Sequence, residues 1–196
     1  MRKINVNEIT EEKKDIIAEG LKKYDYIMKH YQAPNAEFEQ VYRNFYLKSW
    51  WKTRKKQGAG YFKTLREYKG EGLLTVIKKL QREMDSKKYD FSVATKLMHT
   101  FNPNLPIYDS IVCKYLEKQG LRFLFHRHYI KRMNCEEKIE QDWKLLQDWY
   151  KNFLPTEEAK SWIRWFDENF PDYKWLTDLK KVDFIIFACA RENKKA

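Results

Sequence analysis

Four residues on the stretch from Phe91 to Leu116 carry groups that could do chemistry: the amine of Lys96, the imidazole of His99, the phenol of Tyr108 and the carboxylate of Asp109. They flank Asn102-Pro103-Asn104-Leu105-Pro106, and the two prolines dictate a corner. A proline ring disfavours helical geometry in the residue before it, so Asn102 ends one helix and Pro106 keeps the next residues extended. Asp109 then falls at the N-cap of a second helix. There its carboxylate accepts the free amide of Ile111 or Val112 and meets the positive end of the helix dipole. Thirteen residues separate Lys96 from Asp109 and each lies near a helix start, so spacing alone does not bring them together.

A second group of residues suits the binding of phosphates and bases. The window Lys48 to Lys63 is the most basic of the chain, and Trp50, Trp51, Tyr61 and Phe62 flank its cations. Cations for phosphates beside flat rings for bases is the composition used by proteins that bind single strands or extruded bases. Lys52, Arg54, Lys55 and Lys56 are the expected phosphate contacts, with Lys63 and Trp50 beside them. The same composition also fits a solvated helix end running into a flexible Gly58-Ala59-Gly60 turn. That turn is not a phosphate loop, which needs Gly-Lys-Ser/Thr opening a helix after a strand.

Other chemistries lack their residues. Cys113, Cys135 and Cys189 are widely spaced and without zinc-type pairing, and His126 and His128 do not share a helix face. Neither a metal nor a cofactor is expected. The acids of the basic half, among them Glu67, Glu71, Glu83, Asp85, Asp90 and Asp109, are few and form no Asp-x-Asp element of the kind a metal-dependent nuclease needs.

The elements that must position these residues read as helices. Seven Trp, thirteen Tyr and twelve Phe against six Gly and five Pro favour helices cross-linked by large side chains over a turn-rich sheet. Apolar spacings of three, four and seven predict helices over about 8–31, 35–52 and 73–88. Others follow from Asp90 or Ser92, from Asp109 to Gly120, from Asn134, from Thr156 and from Thr177. The expected architecture is all-α, a single domain over 1–196 with a basic lobe (43–133) and a packing lobe (1–42 with 134–196).

The net charge of +11 is distributed to match: residues 1–42 sum to −1, 43–90 to +9, 91–135 to +5 and 136–196 to −2. A localised excess of this size is the footprint of a polyanion-binding face. Arg122, Arg127, Lys131 and Arg132, with His126 and His128, are expected to extend it. No apolar run approaches the roughly 20 residues that cross a bilayer, and the first residues lack the apolar core of a signal peptide. A cytoplasmic protein with no membrane partner is the expectation.

The helix, proline corner and Asp-led helix of Pro106-Ile107-Tyr108-Asp109-Ser110-Ile111-Val112 resemble the segment of helix-hairpin-helix DNA glycosylases that carries their catalytic aspartate. The resemblance covers Phe91 to Leu116. It lacks the Leu-Pro-Gly-Val-Gly turn of that family, and Asp109 follows Pro106 by three positions rather than two. The pattern Asn-Pro-x-x-Pro-Ile-Tyr-Asp is also similar to bacterial proteins of about this length to which no activity attaches. The glycosylase resemblance implies removal of a damaged or modified DNA base, with Asp109 stabilising the cationic sugar or activating a nucleophile and Lys96 attacking the sugar carbon. His99 and Tyr108 would then border the groove. Two other readings are open: a non-catalytic helical DNA- or RNA-binding module, and a protein-interaction domain using the Trp-rich C-terminal half.

Overall fold

The computed structural model describes residues 4–125 and 135–191. The helices are α1 (Glu11–His30), α2 (Ala36–Tyr46), α3 (Lys48–Arg54), α4 (Gly58–Arg66), α5 (Leu73–Glu83), α6 (Phe91–Phe101), α7 (Ser110–Lys118), α8 (Cys135–Phe153), α9 (Glu157–Asn169) and α10 (Asp178–Ala190). No strand occurs among the described residues. The all-α expectation holds at that level. Residues 126–134, and with them Arg127, Lys131, Arg132 and both histidines of that stretch, lie outside the described residues.

Five of the helix starts follow local chemistry. Asn35, Asp109, Thr156 and Thr177 each accept a backbone amide of the following first turn, as N-cap residues do. α1 has no capping side chain, but Glu11 and Glu12 open it and Lys29 and His30 close it, matching its dipole. Gly120 adopts a φ of +101° just after α7, a conformation that favours glycine.

α10 is the helix around which others pack. It meets α1, α7 and α9, and Leu179, Val182, Phe184, Ile185, Ile186 and Ala188 are all buried. With Lys180, Lys181 and Asp183 buried as well, α10 is enclosed on nearly every side, as a core helix is. From it one hydrophobic cluster extends through Ile17 and Leu21 of α1, Phe38 and Tyr42 of α2, Leu97 of α6, Val112 and Leu116 of α7, and Ile139 and Leu146 of α8.

Two expectations about the basic window are corrected. Residues 35–52 are not one helix: α2 ends at Tyr46 and α3 begins afresh after Leu47. Gly58-Ala59-Gly60 is not a turn but the first turn of α4. The glycines serve close approach. A Cβ on Gly58 would lie 2.0 Å from the Trp51 ring, and one on Gly60 would lie 2.1 Å from the carbonyl oxygen of Glu83.

Candidate functional site

The corner after α6 is tied down at successive positions. Asn102 leaves the helix with extended dihedrals, and its side-chain oxygen accepts the Asn104 amide at 3.1 Å. The Pro103 carbonyl accepts the Thr177 hydroxyl at 3.1 Å, and the Leu105 carbonyl accepts His99 Nδ1–H at 2.6 Å. The Tyr108 amide donates to Thr95 Oγ1 at 3.1 Å. This last bond sets the register of the returning chain against α6, and the next residue on each side is Lys96 or Asp109.

The structure therefore brings together the two residues that spacing left apart. Lys96 Nζ lies 3.6 Å from Asp109 Oδ2, with side chains 13% and 21% exposed. Ser92 Oγ, one turn earlier on α6, accepts a hydrogen bond from Lys96 Nζ at 3.2 Å. The other carboxylate oxygen, Asp109 Oδ1, accepts the Ile111 amide at 2.8 Å. The site is an amine and a carboxylate in ion-pair range, fixed by a helix start and partly open to solvent. Cys113, one turn beyond Asp109, supplies no nucleophile there: burial, with Asp109 and Asp142 nearby, pushes its thiol well above the usual range.

His99 and Tyr108 do not border a groove as expected. His99 is fully buried, bonded through Nδ1 to Leu105 and through Nε2 to the Tyr24 hydroxyl at 3.1 Å. Burial first, then the nearby Lys180 charge, push its pKa down to about 3, so the ring is neutral and Nε2 accepts from Tyr24. Tyr108 stacks on Phe91 with ring centroids 4.0 Å apart. Its hydroxyl donates inward, to the Phe125 carbonyl at 3.1 Å and to Asp142 at 3.2 Å. Burial also raises its pKa far above the ordinary phenol range. Both residues hold the corner rather than face a ligand.

The basic window divides into free and committed cations. Lys52, Lys55 and Lys56 are exposed and have no acidic partner within 4 Å among the described residues. Arg54 is paired with Asp90, and its guanidinium lies over the Trp50 ring at 5.8 Å. Lys63 is paired with Glu83 at 2.7 Å. Trp50 leans on Trp51 and Tyr61 with centroids 6.1 Å away in each case, so its ring is part of a cluster rather than an open platform. Asp90, expected as a possible cap of α6, stands at the N-cap but makes no capping bond with its side chain. Lys96 is six residues further along α6, an axial rise of about 9 Å. The basic segment thus abuts the same helix that carries the amine of the corner site.

Sequence reasoning missed two buried acids. Asp142 is 1% exposed and accepts from the amides of Leu124 at 2.7 Å and Phe125 at 2.8 Å as well as from Tyr108. Asp183 pairs with the buried Lys180 at 2.7 Å, and the ammonium sits 4.7 Å from the Phe184 ring centre and 5.0 Å from that of Tyr24. The signal for Asp142 was present: it falls three residues after Ile139 and four before Leu146, on an otherwise apolar stripe. On the far side of the corner, Asn104 and Pro106 form a cleft of about 660 Å³ with Gln147, Lys151, Thr177 and Asp178, and neither Lys96 nor Asp109 lines it. No group of His, Cys, Asp and Glu suited to a metal occurs among the described residues. No described helix is long and apolar enough to cross a membrane.

Comparison with family models, with curated proteins and with solved structures gives no match to this chain.

Proposed function

We propose that the protein binds nucleic acid through the exposed cations of residues 48–56 and cleaves the glycosidic bond of a damaged or modified base at Lys96 and Asp109. The observation that carries this reading is the 3.6 Å approach of Lys96 Nζ to Asp109 Oδ2 across the proline corner, partly solvent-accessible and on the helix that the basic segment adjoins. In the hydrolytic route Asp109 takes a proton from water, the water oxygen bonds to the sugar C1′, and the C1′–N bond breaks. Its electron pair leaves with the base, which gains a proton. In the alternative route Lys96 passes a proton to Asp109 and its amine attacks C1′ in place of water as the C1′–N bond breaks; the C1′–O4′ bond then opens, the ring oxygen takes up the proton that leaves the nitrogen, and the sugar is held on Lys96 as an imine. Asp109 in either case lies where positive charge develops on the sugar.

Base release from labelled oligonucleotides carrying deaminated or alkylated bases tests the reading. Asp109→Asn keeps the α7 cap, because asparagine caps as well as aspartate. It is expected to lower release by about 10²-fold or more while leaving oligonucleotide affinity unchanged. Borohydride trapping of a covalent adduct that disappears in Lys96→Ala distinguishes the amine route. Undiminished release by the Asn variant overturns the catalytic assignment. The second reading, a binding module in which Asp109 is a cap and nothing more, is favoured by the Asp109 Oδ1 to Ile111 bond. It requires salt-sensitive binding with no base released by the wild type.

A further inference from the structure

The segment Lys48–Gln57 is attached differently from its neighbours. Neither α3 nor the short 3-10 helix Lys55–Gln57 contributes a buried residue, and neither has a capping side chain at its start. What holds it are ring contacts, Trp50 to Tyr61 and Trp51 to Phe62, with the Arg43 guanidinium over Trp51, and the ion pair of Arg54 with Asp90. Three buried polar atoms with no hydrogen-bond partner among the described residues belong to this segment or to the residue it pairs with: Trp50 Nε1, Gln57 Oε1 and Asp90 Oδ2. A seam closed over unmatched donors and acceptors is destabilised by each of them, and opening it returns all three to water.

Arg54 and Asp90 each have a second use that the closed seam denies them. The Arg54 side chain is 18% exposed and that of Asp90 10%, so the guanidinium is withdrawn from the surface on which Lys52, Lys55 and Lys56 stand. Asp90 occupies the N-cap position of α6, where aspartate is a preferred capping residue, yet its side chain makes no capping bond. A phosphodiester offers the guanidinium the same paired oxygens as a carboxylate. Release of Arg54 therefore replaces one charge-assisted contact by another, and frees Asp90 to cap the Ser92 amide in the first turn of α6.

We propose that Asp90 holds Arg54 in reserve, and that a phosphodiester of bound nucleic acid takes Arg54 from Asp90 as residues 48–57 lift away from the start of α6. This rests on the nucleic-acid half of the function above and is independent of base excision. The test is anisotropy of a fluorescein-labelled single-stranded oligothymidine titrated with the full chain at several salt concentrations. The proteins compared are the wild type, Asp90→Asn and Arg54→Gln, with Asp90→Ser as a second capping replacement. Removing the competing carboxylate should tighten binding about threefold to tenfold, whereas Arg54→Gln should weaken it and flatten the salt slope by roughly 0.7. The tightening by Asp90→Asn should vanish in the Arg54→Gln background, which a carboxylate acting through its charge alone does not allow, and its persistence there overturns the reserve mechanism. Changes of the same sign, or no change in either, overturn the reserve mechanism and leave nucleic-acid binding standing. A wild type that binds at no salt concentration overturns both.

Discussion

Asp142 accepts three hydrogen bonds at 1% exposure, and two of its donors are backbone amides of the segment that follows α7. Replacing it by Ala strands those two amides, while the Tyr108 hydroxyl keeps the Phe125 carbonyl, so Asp142→Ala should lose roughly 2–4 kcal/mol in urea unfolding, with Asn, which keeps one acceptor, losing less. A loss under about 1 kcal/mol would show that water reaches the donors. His99 makes the opposite electrostatic demand, since it must stay neutral. Its folded pKa of about 3 lies below the ordinary 6.5, so the unfolded chain binds the extra proton. The contribution is complete above about pH 6.5 and is lost progressively as pH falls from there towards 3, by on the order of several kcal/mol at the acid end. Thermal unfolding of the wild type should therefore fall over that window by more than that of His99→Gln, which cannot titrate. Parallel pH profiles for the two proteins would refute the assignment.

Asn35, Asp109, Thr156 and Thr177 mark helix starts that could be read from the chain, because a cap acts over three residues and needs no tertiary partner. The proline corner was legible for the same reason. The helical start at Gly58 was not, since it depends on what packs there, the Trp51 ring at Gly58 and the end of α5 at Gly60, and nothing local in the sequence marks the break after Tyr46. Lys96 meeting Asp109 was illegible too, resting on the Thr95 to Tyr108 bond between chain segments. Gly60 tests this scale directly. Alanine is the better helix former by up to about 1 kcal/mol, so propensity alone predicts stabilisation by Gly60→Ala. A Cβ 2.1 Å from the Glu83 carbonyl oxygen instead forces α4 and α5 apart, and the expected result is a loss of about 1–3 kcal/mol in denaturant unfolding. Gly72, with nothing within 4 Å of its Cβ position, is the comparison: Gly72→Ala should change stability by well under 1 kcal/mol.

Over the whole molecule the +11 charge is a poor guide until its pairing is known. Arg66 is engaged by Glu39 at 2.8 Å, Lys63 by Glu83 at 2.7 Å and Lys78 by Glu136 at 2.9 Å, while Lys52, Lys55 and Lys56 have no such partner among the described residues. A paired cation already has a counter-charge and releases less from the ion atmosphere of a nucleic acid than an unpaired one. The slope of log K against log salt counts phosphates neutralised, at about 0.7 per contact for single strands. Neutralising Lys52, Lys55 and Lys56 together by Ala should therefore flatten the slope by about 2 and weaken binding most at low salt. Neutralising Lys63, Arg66 and Lys78 removes the same formal charge and should move the slope by less than half as much. Equal effects from the two triple variants, measured by anisotropy over the same salt series, would mean that overall charge governs association and that residues 48–56 have no special part in it. A flat slope in the wild type would remove the polyanion reading altogether.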